Sequence, residues 1–171
     1  FRESQRKHEW NKCRDLLELF GKVVCIVGCG SVGTECAKRF RAFGCDVIGV
    51  DLFPREDANY SRMVGLDRLD DVLPEADVLI LTLPLTDETW HLMNADRLET
   101  LKPGAILVNV ARGTVVDTQA LIKRVNKLGG AVLDVFEEEP LDEYSPLWDM
   151  ENVIVTPHNS FVGEKNHNRL E

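Results

Sequence analysis

The sequence predicts an α/β fold in which helices cover both faces of one parallel sheet, the doubly wound arrangement. The first observation is a short, β-branched apolar run at residues 23–27, which has the length and composition of a buried strand. The second is that similar apolar runs alternate with helical patterns along the rest of the chain. The third is the shortness of the connections, which favours consecutive strand–helix units in a single sheet.

Apolar runs and the residues that interrupt them define the individual elements. The predicted strands are 23–27, 46–50, 63–64, 76–83, 105–110, 131–135 and 153–155. The predicted helices are 31–43, ended by Gly44; 66–73, stopped by Pro74; 95–101, capped by Asn94; and 118–128, capped by Asp117 and ended at Gly129–Gly130. Residues 1–20 are predicted to contain a helix or helix fragments, and residues 52–60 a loop.

Three glycines follow the first strand at the spacing G-x-G-x-x-G, namely Gly28, Gly30 and Gly33. Gly28 permits a tight turn, Gly30 lets the backbone approach a pyrophosphate, and Gly33 lets the helix pack close to the strand. The N–H groups at the helix start favour an anion. Because Asp51 ends the next strand, where a carboxylate can accept from an adenosine ribose, the pattern predicts a dinucleotide site. The alternative is an ordinary strand–helix–strand unit whose glycines serve only turn and packing.

Length and charge limit the function classes. The 171 residues suffice for one domain with a sizeable core and are too few for two large ones. The formal net charge of −9 argues against binding nucleic acid or an anionic membrane through a basic surface. No apolar run approaches membrane-spanning length. We therefore expect neither nucleic acid nor a membrane among the partners.

The cysteines indicate thiols in a reducing compartment. The chain has five, and none forms a C-x-x-C pair: Cys13, Cys25, Cys29, Cys36 and Cys45. No matching cluster of histidines and cysteines lies near them, so we expect no metal site. Free thiols of this kind predict a cytoplasmic location.

Three ionisable residues follow the ends of predicted strands: Arg112, Glu139 and His158. Since the carboxyl ends of parallel strands meet at one edge of the sheet, all three could face the same crevice as the dinucleotide. A guanidinium can grip a carboxylate with two hydrogen bonds, an imidazole can move a proton near neutral pH, and a neighbouring carboxylate can orient the imidazole. Taken singly, they could instead be a charge in a turn, part of an acidic run and a loop histidine.

The chain resembles the NAD-binding domain of the D-isomer-specific 2-hydroxyacid dehydrogenases. Five motifs occur in the family's order over about residues 20–165: GCGSVG at 28–33, LPLT at 83–86, NVARG at 109–113, LDVFEEEP at 133–140 and TPH at 156–158. The resemblance implies a Rossmann domain at 21–165 without its substrate domain. Residues 1–20 would then be a remnant of an inter-domain helix or linker, and 166–171 the start of a truncated C-terminal segment.

The resemblance also implies an activity, hydride transfer between a D-2-hydroxy acid and NAD. His158 would take the hydroxyl proton, Glu139 would orient His158, and Arg112 would bind the substrate carboxylate and polarise the carbonyl. A shortened turn at 128–131 leaves Glu138 as an alternative to Glu139. With the substrate domain absent, we expect the chain alone to bind NAD without turning over a substrate.

Further positions match the family's cofactor contacts. Ser31 and Val32 would line the pyrophosphate turn, Asp51 the ribose, and Leu83 and Pro84 the wall near the adenosine. The nicotinamide would lie near Val110, Ala111, Arg112, Asp134 and His158.

The resemblance implies a homodimer and a small 2-hydroxy or 2-keto acid substrate. Trp10, Tyr144 and Trp148, outside the predicted sheet, could anchor an interface. One alternative is a nucleotide-sensing co-repressor of the same family, which keeps the same three candidate catalytic residues. A relative of alanine dehydrogenase or adenosylhomocysteinase is more distant, because the NVARG and TPH motifs count against it.

Overall fold

One parallel sheet organises the part of the chain that the computed structural model describes, residues 2–12 and 16–163. Its seven described strands lie in the order β3-β2-β1-β4-β5-β6-β7, so the predicted fold class is confirmed. Their bounds are β1 Val23–Val27, β2 Asp46–Asp51, β3 Arg62–Gly65, β4 Val78–Leu81, β5 Ile106–Asn109, β6 Gly130–Leu133 and β7 Val153–Val155.

The strand order reverses beside β1, which pairs with β2 on one side and with β4 on the other. Val27 lies opposite Val50 of β2 and Leu81 of β4, all at the carboxyl ends of their strands. Connections that leave β1 and β4 run to opposite faces, which opens a crevice at this end of the sheet. The glycine turn, which follows Val27 directly, therefore lies at the place where such folds bind ligands.

Short helices and 3₁₀ turns join the strands. The α-helices of the described residues are α1 Arg2–Arg6, α2 Ser31–Ala42, α3 Leu69–Val72, α4 Ala95–Thr100 and α5 Thr118–Arg124. Both predicted N-caps are present: Asn94 accepts from the Arg97 N–H at 3.0 Å, and Asp117 accepts from the Ala120 N–H at 2.9 Å. Gly44, with φ of 78°, follows the end of α2 as predicted.

Two helix ends differ from the prediction. Pro74 does not end the helical segment but lies in the 3₁₀ turn Leu73–Glu75. Proline is tolerated near the start of such a turn, because the N–H group that it lacks would have no partner there. The predicted helix 118–128 ends at Arg124 and tightens into the 3₁₀ turn Val125–Lys127. Gly130 belongs to β6, where it pairs with Ile106, so it begins a strand rather than ending a helix.

Apolar side chains fill the space on both faces of the sheet. On one face, Leu79, Leu81 and Leu107 are fully buried under α3, α4 and α5. On the other face, Val24 and Ile26 pack with Ala37 of α2. Each cluster contains side chains from adjacent strands. Their close packing fixes the positions of the carboxyl ends of the strands relative to one another.

The chain ends were predicted to be remnants of neighbouring segments. In residues 1–20 the described part contains α1 and, after it, no further helix. Residues 166–171 and the predicted boundary at 165 lie outside the described residues. Among the helices of residues 2–12 and 16–163, none combines the length and the apolar composition needed to cross a lipid bilayer.

Candidate functional site

Close backbone contacts explain two of the three glycines in the turn after β1. Gly28 has φ of 93°, and a Cβ there would lie 2.7 Å from the Leu83 nitrogen. A Cβ on Gly33 would lie 2.1 Å from the Gly28 oxygen. Gly30 differs, since nothing lies within 4 Å of the place where its Cβ would be. Packing therefore requires Gly28 and Gly33, whereas Gly30 keeps space open in front of the helix.

The start of α2 supplies unpaired donors to that space. Gly30 is the N-cap and offers no side-chain acceptor to the N–H groups of the first turn. Ser31 and Val32 are exposed. Because α2 is 12 residues long, its N-terminal dipole and free N–H groups suit a phosphate oxygen. The turn thus fits the pyrophosphate that the motif predicts.

A cavity of about 630 Å³ extends from the glycine turn to the end of β2. Asp51 lines this cavity. One of its carboxylate oxygens accepts from the Cys29 N–H at 2.7 Å, and the other accepts from the Phe53 N–H at 3.0 Å. Each oxygen retains a lone pair for a ribose hydroxyl. Arg55 lines the same cavity and donates to the Cys29 carbonyl at 2.7 Å. A carboxylate and a guanidinium therefore both lie where the adenosine ribose is predicted.

The segment after β4 is attached to the same turn. The Thr82 hydroxyl donates to the Gly28 carbonyl at 2.7 Å, and buried Leu83 packs over Gly28. Pro84 is exposed at the edge of this wall. The two residues predicted to line the adenosine side therefore lie against the glycine turn.

The turn after β5 presents Arg112. Buried Asn109 shapes it by accepting from the Ala111 N–H at 3.0 Å and donating to the Arg112 carbonyl at 3.1 Å. Val110 is half-buried and Ala111 is buried, whereas Arg112 is exposed. Its guanidinium donates to the Ala111 carbonyl at 2.7 Å, and no carboxylate of the described residues lies within ion-pair distance. The guanidinium is thus available to an external anion.

Glu139 and His158 are brought together. One Glu139 oxygen lies 2.7 Å from His158 Nδ1, and the other accepts from the Phe136 N–H at 3.0 Å. Partial burial acts to raise the pKa of Glu139, but hydrogen bonds from His158 and Phe136 outweigh it and hold the pKa below its usual value. An ionised carboxylate only accepts, so Nδ1 carries the proton and Nε2 is left for another partner. Glu139, rather than Glu138, is the glutamate in contact with His158.

The backbone of His158 is held in an unfavourable conformation. Its φ is 53°, in the left-handed region that costs a non-glycine residue about 1 kcal/mol or more. The His158 N–H donates to the Asp134 carbonyl at 2.8 Å and to the Thr156 carbonyl at 3.0 Å, which fixes it there. Strain maintained in this way is common where a side chain must be aimed.

Asp134 anchors the loop that carries His158. Its carboxylate accepts from the Thr156 hydroxyl at 2.5 Å, from the Asn159 N–H at 2.9 Å and from the Ser160 N–H at 2.8 Å. Burial acts to raise the pKa of Asp134, but these hydrogen bonds lower it to about 2. Asp134 was expected beside the nicotinamide, and the structure adds a contact that sequence reasoning missed, the link between the β6 and β7 loops.

An apolar cavity of about 430 Å³ adjoins the Glu139–His158 pair. It is lined by Phe136, Glu139, Pro140, Leu141, Trp148, Val155, Pro157 and His158. Apolar side chains beside a hydrogen-bonded imidazole and carboxylate lower the local dielectric constant and strengthen the interaction between them.

Sequence reasoning also missed a second imidazole–carboxylate pair, His91 and Glu137, which lie 3.0 Å apart. Forty-six positions separate them, a spacing that indicates no local structure.

The cysteine thiols that the structure describes make no hydrogen bond with Arg112, Glu139 or His158. The four cysteines among the described residues are all free. Burial raises the pKa of Cys29, in the glycine turn, to about 11, so its thiol stays protonated. Within residues 2–12 and 16–163, no group of three or more His, Cys, Asp or Glu side chains could hold a metal ion.

Comparisons with known proteins find a matching family model and several relatives. The family model for the NAD-binding domain of D-isomer specific 2-hydroxyacid dehydrogenases matches residues 1–160. A glyoxylate reductase of Korarchaeum cryptofilum is 37% identical over 172 residues, which is 99% of this chain and 52% of the relative. The chain spans about half the length of the curated relatives it matches.

Two solved structures share the fold. A D-isomer specific 2-hydroxyacid dehydrogenase family protein from Aeromonas salmonicida superposes with a TM-score of 0.88 at 44% identity, over 93% of this chain and 52% of that one. A D-isomer specific 2-hydroxyacid dehydrogenase from Xanthobacter autotrophicus, in complex with NADPH and MES, gives a TM-score of 0.85 at 37% identity, over 96% of this chain and 69% of that one.

Proposed function

The chain belongs to the NAD-binding domain family of the D-isomer specific 2-hydroxyacid dehydrogenases, and from this we propose that the protein is an oxidoreductase acting on a D-2-hydroxy acid or its 2-keto acid. The observation that carries the proposal is the Glu139–His158 pair, 2.7 Å apart, at the sheet edge where Arg112 also lies and where the glycine turn begins. A proton carrier, a carboxylate binder and a dinucleotide cradle together suit this reaction.

In the oxidative direction, His158 Nε2 takes the proton of the substrate's C2 hydroxyl as the C2 hydrogen leaves with its electron pair. The nicotinamide, when bound, supplies the acceptor for that hydride. Arg112 binds the substrate carboxylate with two hydrogen bonds and, in reduction, polarises the 2-keto group. Glu139 keeps His158 in the tautomer with Nε2 free and stabilises the imidazolium that forms.

We assign the cofactor-binding role to the residues that the motifs predict. Ser31 and Val32 would donate backbone N–H groups to the pyrophosphate, and Asp51 would accept from the ribose. NAD(H) is the preferred cofactor in this proposal, because the Asp51 carboxylate repels a 2′-phosphate. Leu83, Pro84, Val110, Ala111 and Asp134 would line the rest of the dinucleotide.

We also propose a cytoplasmic homodimer. Four free cysteines in the described part of the chain fit a reducing compartment. Tyr144 and Trp148 are 85% and 51% exposed, which favours a protein interface near the β6–β7 connection. Light scattering that gives a monomer mass at tens of micromolar (our choice of range, above the roughly micromolar affinity of weak interfaces) would contradict the dimer.

The test is a screen of 2-keto acids, glyoxylate included, with NADH and with NADPH, on the natural full-length protein and on this 171-residue chain. We expect the full-length protein to reduce at least one of them and this chain to bind the cofactor with little turnover. His158→Asn removes the imidazole but places there a residue that tolerates positive φ. Arg112→Lys keeps the positive charge but removes the planar guanidinium that binds a carboxylate with two hydrogen bonds. Each should lower kcat/KM by about 100-fold or more. A folded, cofactor-binding full-length protein that reduces none of the acids contradicts the proposal.

The enzyme names of the relatives favour turnover over a nucleotide-sensing role.

A further inference from the structure

The loop that carries Glu139 is held at a second point, two residues earlier. One carboxylate oxygen of Glu137 lies 3.0 Å from His91 Nε2, and the other accepts from the Thr118 N–H at 2.8 Å. Partial burial acts to raise the pKa of Glu137, but the hydrogen bonds from Thr118 and His91 hold it below its usual value. The carboxylate is therefore ionised, and His91 Nε2 donates to it. Both oxygens of Glu137 are thus engaged within the protein.

His91 is itself fixed against movement. Its N–H donates to the Thr114 carbonyl at 2.8 Å, and its ring stacks on Trp90 with the centroids 3.7 Å apart. Its φ of 44° lies in the left-handed region, which costs a histidine free energy. A residue kept in such a conformation, with ring and backbone both bound, is a rigid anchor for Glu137.

The pair joins three segments that line the candidate active site. His91 lies in the connection after β4, which begins with the Leu83–Pro84 wall. Thr118 starts α5, which follows the Arg112 turn. Glu137 lies between Phe136, whose N–H binds Glu139, and Glu139 itself. A displacement of Glu137 would therefore move the Glu139 carboxylate relative to His158.

We propose that Glu137, through His91, is a positioning residue that holds the Glu139 loop in the geometry needed for proton transfer at His158. This inference rests on the proposed function for its catalytic consequence. Glu137 does not touch the reacting groups in this assignment. It acts through the backbone of 136–139, so its loss should slow the proton-transfer step while leaving cofactor and substrate binding nearly unchanged.

Glu138 provides a matched control. It carries the same side chain one position away and is exposed. It makes no hydrogen bond or ion pair with any residue that the structure describes. Glu138→Ala removes the same atoms and charge as Glu137→Ala from the same acidic run, so a difference between the two variants measures the contacts of Glu137 and not the net charge of the loop.

The experiment compares Glu137→Ala, His91→Asn, their double variant and Glu138→Ala in the full-length protein. We expect kcat to fall by about tenfold or more in Glu137→Ala while both KM values change by less than about twofold. His91→Asn should act in the same direction, and the double variant should be no slower than the slower single variant, because the two residues work as one unit. Glu138→Ala should match the wild type.

Hydrogen exchange of the Phe136 amide gives a readout independent of turnover. Release of the loop should make this amide exchange about tenfold faster in Glu137→Ala, a free-energy change of about 1.4 kcal/mol, and leave it unchanged in Glu138→Ala. If Glu137→Ala does not fold, Glu137→Gln, which keeps the shape and one acceptor oxygen, replaces it. Unchanged Phe136 exchange, equal effects of the two alanine variants, or a raised KM at unchanged kcat would each overturn the inference. If the wild-type protein reduces no 2-keto acid, the proposed function is refuted. The exchange rate of the Phe136 amide still tests whether Glu137 holds the Glu139 loop.

Discussion

Gly113 lies so close to Phe136 that a Cβ on Gly113 would be 1.8 Å from the Phe136 carbonyl carbon. Gly113 directly follows Arg112, and the Phe136 N–H binds Glu139. This backbone contact therefore fixes the Arg112 turn against the loop that supplies the partner of His158. The backbones that carry Arg112 and Glu139 are therefore packed directly against each other, and rotation of side chains cannot relieve this contact.

The first prediction is that Gly113→Ala destabilises the fold and lowers activity. The added methyl group would meet backbone atoms, so the β6 loop must move, at a cost of about 1–3 kcal/mol. Chemical denaturation should show the loss, and kcat should fall with it. Gly30→Ala is the control for stability, because its Cβ meets no atom within 4 Å. It should cost about 1 kcal/mol or less and weaken dinucleotide binding instead. Equal stabilities of Gly113→Ala and the wild type would contradict this account.

The second prediction concerns Glu139→Gln in the full-length protein. The amide still accepts from His158 or Phe136 but carries no charge, so the imidazolium formed during oxidation loses its stabilising partner. We expect kcat for oxidation to fall by about 100-fold, with cofactor affinity unchanged. Glu138→Gln, a substitution of the same type in the same acidic run, should retain the wild-type rate. If Glu138→Gln is the slower of the two, the structural assignment of Glu139 is wrong.

Much of this site could be predicted because its signals are local in the sequence. The glycine spacing, Asp51 at a strand end, and Arg112, Glu139 and His158 after successive strands all follow from the rule that ligands bind at the carboxyl ends of parallel strands. The contact of His158 with Glu139 rather than Glu138 depends on how the loop after β6 folds back. That path is stabilised by the hydrogen bond that the Phe136 N–H donates to Glu139, which no residue pattern encodes.

What could not be predicted depends on long-range contacts. Asp134 reaches Thr156 across 22 positions, and His91 reaches Glu137 across 46. Neither separation corresponds to a helical or strand period. The shortening of the predicted helix 118–128 has a similar cause, because Gly130 pairs with Ile106 in the sheet and this pairing overrides local propensity.

The third prediction is a loss of stability in acid that depends on Asp134. Its folded-state pKa of about 2 lies below the ordinary value of 3.8, so the ionised form stabilises the fold above pH 4. This contribution is about 2 kcal/mol and is lost as the pH falls from about 4 to about 2. Asp134→Asn should therefore be less stable than the wild type at pH 7, and the difference should shrink toward zero near pH 2.

Denaturation midpoints measured between pH 2 and pH 7 check this dependence. Asp87→Asn is the matched control, because Asp87 is exposed and forms no hydrogen bond with the described residues. Its stability should follow the wild type at every pH. A constant difference between Asp134→Asn and the wild type across the range would show that the charge of Asp134 is not the stabilising feature.

The last prediction is that NAD(H) binds more tightly than NADP(H), although the chain resembles a protein solved with NADPH. Asp51 would accept from the 2′-hydroxyl of NAD, and its charge would repel a 2′-phosphate. Arg55, in the same cavity, partly offsets that repulsion, so the preference should be about tenfold, or 1.4 kcal/mol, rather than much larger. Asp51→Asn keeps an oxygen for the Cys29 N–H and removes the charge, so it should improve NADP(H) binding and reduce the difference between the two affinities. Arg55→Ala should increase that difference. Calorimetric titration of both cofactors on the wild type and the two variants measures these changes, and wild-type binding of NADP(H) equal to or tighter than that of NAD(H) would show that Asp51 does not set the preference.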